Sequence, residues 1–224
     1  MASLPEFPDG VLAIEMSGDS SSLAVSKDGK ILELDFTDKR GRSLITSLDS
    51  LLKTAHFSQA DLSAILVGIG PGSYTGLRIA CAGAKTLGYA LEIPVVGVGS
   101  FEASAWHALT AKGASKEIHL VLDAYRKEVY HAVFQLQNDE LVVSQEAKVC
   151  KVQDFADGFP NQAHFLGDPK WTDGQGICLG ENVCPSAAQI LTFVLSKEPR
   201  EDWETHWESP NPRYLRPAAY PPAS

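Results

Sequence analysis

Three apolar segments in the first 36 residues are joined by turns too short to contain a helix, and this constrains the fold more than any other feature. The segment VLAIE (Val11 to Glu15) is followed, after a turn at Gly18-Asp19, by SSLAVSK, whose apolar residues alternate as in a strand. Asp28-Gly29 then supplies the positive φ angles of a tight hairpin, and KILELDF follows. Strands linked so closely must be antiparallel, because a parallel pair needs a crossover of a dozen residues or more.

From Ser43 the period changes. Leu44, Ile45, Leu48, Leu51, Leu52 and Ala55 recur at helical spacing and predict an amphipathic helix. Ser58 and Asp61 suggest a capped short turn, and AILVGIG reads as a buried strand. A glycine-rich loop, a helix through Leu91, the strand PVVGVG and a helix from about Phe101 to Lys112 complete the first half. The order β-β-β-α-β-α-β-α describes a meander extended by right-handed crossovers. It fits an α/β, ribonuclease-H-like or actin-like mixed sheet better than a doubly wound dinucleotide fold, which places a helix after its first strand.

In the second half EIHLVLDA, EVYHAVFQ and LVVSQEAKV read as strands, with a turn at Asn138-Asp139, and AAQILTFVL reads as a helix with Pro185 early in it. The expected division is a first lobe over 1–108, a reduced second lobe over 109–216, and a disordered tail over 217–224. With 44% hydrophobic and 21% charged residues, the chain has the composition of a folded domain.

The net charge of −9 repels polyanions and gives no footprint for nucleic acid or an anionic membrane. Lys39, Arg40 and Arg42 form a small basic cluster, read as a solvated face. The start MASLPEFPDG lacks a signal peptide's basic and apolar regions, and no apolar run is long enough to cross a bilayer. Cys81, Cys150, Cys178 and Cys184 show no zinc-type spacing, so reduced thiols in a cytoplasm are expected; a Cys178–Cys184 bridge ranks below two unpaired thiols.

The loop Gly70-Pro71-Gly72-Ser73-Tyr74-Thr75-Gly76-Leu77-Arg78 decides between a nucleotide enzyme and a scaffold. A Walker loop needs Lys and Ser or Thr after its last glycine, where this chain has Leu77 and Arg78, and the glycine spacing is not that of a Rossmann fingerprint. Pro71 also lacks one of the N–H donors a phosphate nest would use. A free helix start at Ser73 to Thr75 is able to hold an anion, but the stronger reading is a cap by Ser73 or Thr75 and a sharp glycine turn. Gly76, Ala80, Gly83, Ala84 and Gly88 then line the helix with small residues, which marks close backbone approach.

VLAIEMSGDSSSLAV, GPGSYTGLRIACAGAKTLGYAL, PVVGVGSFEA, LDAYRKEVYHAVF and PRYLRP occur in an order that resembles the bacterial TsaB (YeaZ) family over most of the chain. The resemblance implies an actin-like fold with two related lobes. It also implies a non-catalytic partner of the TsaD transferase, which places threonylcarbamoyl on N6 of adenosine 37 in tRNAs reading codons that begin with A. A TsaE-type ATPase joins the assembly, tRNA is met only indirectly, and the isolated chain is expected to form a homodimer. No catalytic, cofactor-binding or metal-binding residue is implied. The pairing surface implied is the first two helices, here Leu44, Leu48, Leu51, Gly76, Ala80, Gly83, Ala84 and Leu87.

The chain departs from the family at Glu15, where relatives carry Asp; at Arg42 and Ser43, where His is frequent; and at Tyr125, which displaces the family's Arg to Arg126. A kinase-like phosphotransferase or ATPase with a degenerate phosphate site shares the fold and is the alternative, but Gly167, Gly174, Gly176 and Gly180 form no D-x-G-G motif. A metalloprotease is disfavoured because the six histidines include no HExxH pair and read as surface or structural residues. The aromatic end, with Trp203, Trp207, Tyr214 and Tyr220, is expected to pack on its own domain, Tyr214-Leu215-Arg216 matching the family terminus.

Overall fold

Alternating side chains and tight turns produce the expected meander. In the computed structural model, which describes residues 9–37, 43–111, 116–180, 185–197 and 210–215, β1 (Val11–Glu15), β2 (Ser21–Lys27) and β3 (Lys30–Phe36) are antiparallel neighbours. Asp28 and Gly29 both have positive φ, as a two-residue hairpin turn requires. Helix α1 (Leu44–Ala55) leads to β4 (Ala64–Gly68), α2 (Tyr74–Leu91) to β5 (Val95–Val98), and the first sheet has the order β3-β2-β1-β4-β5. Strands β1, β4 and β5 are parallel, as crossover helices dictate. Ser58 and Asp61 form a reciprocal capping box on a short 3₁₀ turn.

Helix α3 (Ser100–Ala111) enters the second sheet, whose order is β10-β9-β6-β7-β8. Here β6 (Glu117–Asp123), β7 (Glu128–Gln137) and β8 (Glu140–Lys151) repeat the antiparallel meander, with Asn138 and Asp139 both at positive φ. A short helix α4 (Val152–Asp157), β9 (His164–Leu166) and β10 (Ile177–Gly180) follow. Their brevity hid them from periodicity: a three-residue strand carries no period to read.

Helix α5 (Ala187–Leu195) covers the residues expected, but Ser186 is its N-cap, in a capping box with Gln189. Pro185 therefore precedes the cap rather than lying in the first turn. Although late in sequence, α5 packs on the first sheet. The Ala187 N–H donates to Ser22 Oγ (2.7 Å) and the Ala188 N–H to Glu33 Oε1 (2.9 Å), so two N–H groups that a helix cannot satisfy internally find partners on β2 and β3.

The apolar clusters give the layers. Helices α1 and α2 cover one face of the first sheet through Leu12, Ile14, Leu23, Ile65 and Val67. The opposite face, with Val11, Ala13 and Leu66, meets α5 and Ala103 of α3. Phe101, Ala105 and Ala108 of α3 turn to Ile118, Leu120 and Phe134 of the second sheet, and Phe155 of α4 lies with Val121, Val129 and Phe165. Two five-stranded mixed sheets thus alternate with helical layers, an α/β actin-like two-lobe fold.

Residues 210–215 return across the first lobe. Pro210 packs on Gly97, Lys85 Nζ donates to Asn211 Oδ1 (2.9 Å), Arg213 donates to Glu102 Oε1 (2.6 Å), and the Tyr214 ring lies 4.9 Å from that of Tyr74. The family-like Pro-Arg-Tyr is therefore a strap tying β5, α2 and α3 together. The Lys39, Arg40 and Arg42 cluster, Cys184, His206, Trp203, Trp207, Arg216, Tyr220 and the tail at 217–224 lie outside the described residues. Cys81, Cys150 and Cys178 are free thiols.

Candidate functional site

The parallel register of β1 and β4 brings the end of β1 beside the glycine loop, so Glu15 lies under Gly68 and against the start of α3. It is fully buried. One carboxylate oxygen accepts from the Ser17 N–H (2.5 Å) and the other from the Ser100 hydroxyl (2.8 Å), while Ser100 Oγ accepts from the Gly70 N–H (3.1 Å). Burial pushes the Glu15 carboxyl above its ordinary range, and the bonds from Ser17 and Ser100 pull the other way without prevailing.

Two glycines make this packing attainable. A Cβ on Gly68 would stand 2.1 Å from a Glu15 carboxylate oxygen, and one on Gly76 would stand 1.9 Å from the Met16 carbonyl oxygen. The first turn of α2 therefore rests directly on the backbone that follows β1. Ser73 caps α2 by accepting from the Gly76 N–H (3.2 Å), as the sequence suggested, and the Ser73 N–H donates to the Ser17 carbonyl (2.7 Å). The N–H groups of Gly70, Ser73 and Gly76 are thus committed to the chain itself, and Pro71 has none.

The outer part of the loop is different. Tyr74, Thr75 and Arg78 are exposed, and the Arg78 guanidinium lies over the Tyr74 ring, 4.8 Å from its centroid. Leu77 is buried.

The residues named for the pairing surface are redistributed. Leu44, Leu48, Leu51, Ala80 and Ala84 are buried in the chain's own core, and Leu87 packs against the same cluster. Gly83 faces Leu44, whose Cδ2 would lie 2.7 Å from an added Cβ, and Gly76 faces Met16. The small residues do serve close helix packing, but within the lobe. The apolar stripe that sequence periodicity detects is the one that covers the sheet, so the outward surface of these helices belongs to other residues: Ile45 (58% exposed), Ala82, Thr86 and Tyr89 (66% exposed).

His119 and His131 sit on neighbouring strands, with His119 Nδ1 3.0 Å from His131 Nε2 and the rings stacked. The Gln145 amide nitrogen, 2.9 Å from His131 Nδ1, can only donate there, so His131 carries its proton on Nε2 and donates to His119. Burial pushes both below the usual histidine range, His131 to about 3. This is a neutral structural pair, in line with the sequence expectation. Neither the pair nor Ser100 is legible in the sequence: an i, i+12 spacing across a hairpin carries no local signal.

Residues 38–169, more than half of the chain, match the family model described as TsaD: tRNA N6-adenosine threonylcarbamoyltransferase. Over 131 residues the chain is 34% identical to the tRNA threonylcarbamoyladenosine biosynthesis protein TsaB of Bacillus subtilis, covering 57% of this chain and 56% of that one. Over 141 residues it is 30% identical to the protein of the same name from Escherichia coli, covering 62% and 60%. The chain thus spans less than two thirds of the length of these curated relatives. YeaZ from Pseudomonas aeruginosa superposes with a TM-score of 0.71 at 25% identity, over 82% of this chain and 89% of that structure. The fold, the glycine loop and these likenesses agree, and the chain belongs to the TsaB (YeaZ) family.

Proposed function

We propose that this protein is a non-catalytic partner of a TsaD-type transferase in the N6-threonylcarbamoylation of adenosine 37 of tRNAs that read ANN codons. The observation that carries the reading is the state of Glu15: the carboxylate at the end of β1, where an actin-like enzyme would orient metal-bound phosphate, is fully buried and hydrogen-bonded to Ser17 and Ser100. The names of the relatives supply the pathway. A TsaE-type ATPase joins the complex, tRNA is reached through the transferase, and the free chain pairs with a second copy through the same helices. The setting is the cytoplasm; no described helix is long and apolar enough to span a membrane.

The pairing surface is the outward face of α1 and α2, with Ile45, Ala82, Thr86 and Tyr89, in an interface on the order of 1,600 Å². Coexpression with the cognate transferase, followed by a tRNA modification assay with and without this chain, tests the reading. The double variant Ala82→Arg/Thr86→Arg changes two exposed side chains, of which Thr86 gives up only its bond to the Ala82 carbonyl, and is expected to keep the wild-type melting temperature while pairing weakens about 30-fold or more, as for an interface hot spot. Normal copurification by the folded variant places the interface elsewhere. Full modification activity of the transferase without this chain removes the function itself.

A further inference from the structure

The β6–β7 hairpin turns through Tyr125, Arg126 and Lys127, which have φ angles of 60°, 57° and 62°. Three successive non-glycine residues in the left-handed region crowd each Cβ against the following carbonyl oxygen, and such strain persists where the surrounding structure holds it. The turn is held by the Tyr125 N–H donating to Asp123 Oδ1 (2.7 Å), the Glu128 N–H to the Tyr125 carbonyl (3.1 Å), and the Val152 N–H to the Lys127 carbonyl (3.0 Å). Its effect is to put Tyr125, Arg126 and Lys127, all exposed, at the mouth of one cavity of about 650 Å³, together with Lys151 and Trp171.

Among the described residues, the side chains of Arg126, Lys127 and Lys151 make no hydrogen bond or ion pair. Asp123 and Glu128 also line the cavity, so the three cations outnumber the acids by one, in a chain of net charge −9. Lys170, which precedes Trp171, is engaged by Asp168 and lies over the Trp171 ring, 4.5 Å from its centroid. Trp171 is then an apolar wall, while Tyr125, 62% exposed, presents a ring at the edge. Unpaired guanidinium and ammonium groups beside an exposed aromatic ring suit a ligand with a phosphate and a flat π-system, and the volume is in the range of small-ligand sites.

We propose that this cleft binds a nucleoside phosphate, its phosphate on Arg126, Lys127 and Lys151 and its base on Tyr125. The site is built from the second lobe alone and is independent of Glu15 and of the helical pairing face. The ligand is either a free nucleotide or a nucleotide unit of a single-stranded RNA.

The test is titration of the full chain, ¹⁵N-labelled, with AMP, with an oligoadenylate and with inorganic phosphate, followed by amide shifts at residues 123–128 and 151 and by calorimetry. AMP is expected to saturate the hairpin shifts with a Kd on the order of 0.1 mM. Arg126→Asn/Lys127→Asn, chosen because Asn tolerates positive φ, is expected to fold normally and to weaken binding about tenfold or more. Tyr125→Asn is expected to weaken AMP binding but not phosphate binding. Oligoadenylate at least tenfold tighter than AMP identifies an RNA strand as the ligand's source; AMP equal or tighter identifies a free nucleotide. Absence of saturable shifts up to about 5 mM AMP, binding unchanged in the double variant, or phosphate competing as well as AMP overturns the proposal.

Discussion

Gly76→Ala is expected to destabilise the protein by about 3 kcal/mol, read as a lower denaturant midpoint at unchanged slope. Helix propensity alone argues the opposite, since alanine in a helix interior is favoured over glycine by about 1 kcal/mol. The packing decides the sign. The new methyl would stand 1.9 Å from the Met16 carbonyl oxygen and 3.1 Å from its carbon, and both are backbone. Neither α2 nor the segment after β1 can yield alone, because Ser73 bonds to Ser17 and Glu15 bonds to Ser17 and Ser100. Gly83→Ala is the internal control: its methyl meets only the Cδ2 of Leu44, the end of a flexible side chain, so propensity and crowding nearly cancel and the midpoint moves little. Equal effects at the two positions contradict the assignment of Gly76 to backbone contact.

Glu15→Ala is expected to cost about 3 kcal/mol, because it leaves the Ser17 N–H and the Ser100 hydroxyl without their acceptors in a buried site. Glu15→Gln separates shape from charge. The folded pKa of Glu15 is raised above its unfolded value of 4.5, so the folded state binds the proton more tightly. Its stabilising contribution is complete below pH 4.5 and is lost as pH rises through the folded pKa, at about 1.4 kcal/mol per pH unit. The stability difference between Glu15→Gln and the wild type should therefore shift in favour of Gln as pH rises above 4.5. A difference independent of pH shows that Glu15 is not a desolvated carboxyl.

The first lobe was legible in the sequence because its signals are local. The Asp28-Gly29 turn, the period of α1 and the Ser73 cap each act within a few residues, and the resulting strand order follows from connection length. The short elements β9 and β10 and the return of α5 and Tyr214 to the first lobe were not legible. β9 and β10 are too short to carry a period, whereas α5 and Tyr214 are brought back by contacts across more than a hundred residues, such as Ala187 to Ser22 and Arg213 to Glu102. The site was legible in half. Gly76 and Gly83 allow the close approach that the small-residue spacing of the helix predicts, but Leu48 and Ala80, which the sequence reading places at a partner, lie on the stripe that covers the sheet. A hydrophobic period gives the apolar side of a helix without saying whether the chain or a partner covers it.

Ser17 and Ser100 hold both side-chain oxygens of Glu15 at the end of β1, and the proposed function places no metal–nucleotide chemistry there. Calorimetric titration of the full chain with ATP, with and without magnesium, in the wild type and in Glu15→Gln tests this most directly. The expected result is that magnesium adds no affinity and that Glu15→Gln leaves the titration unchanged, any nucleotide binding being weakened instead by changes in the β6–β7 turn such as Arg126→Asn/Lys127→Asn. Magnesium-dependent binding that Glu15→Gln abolishes would contradict it.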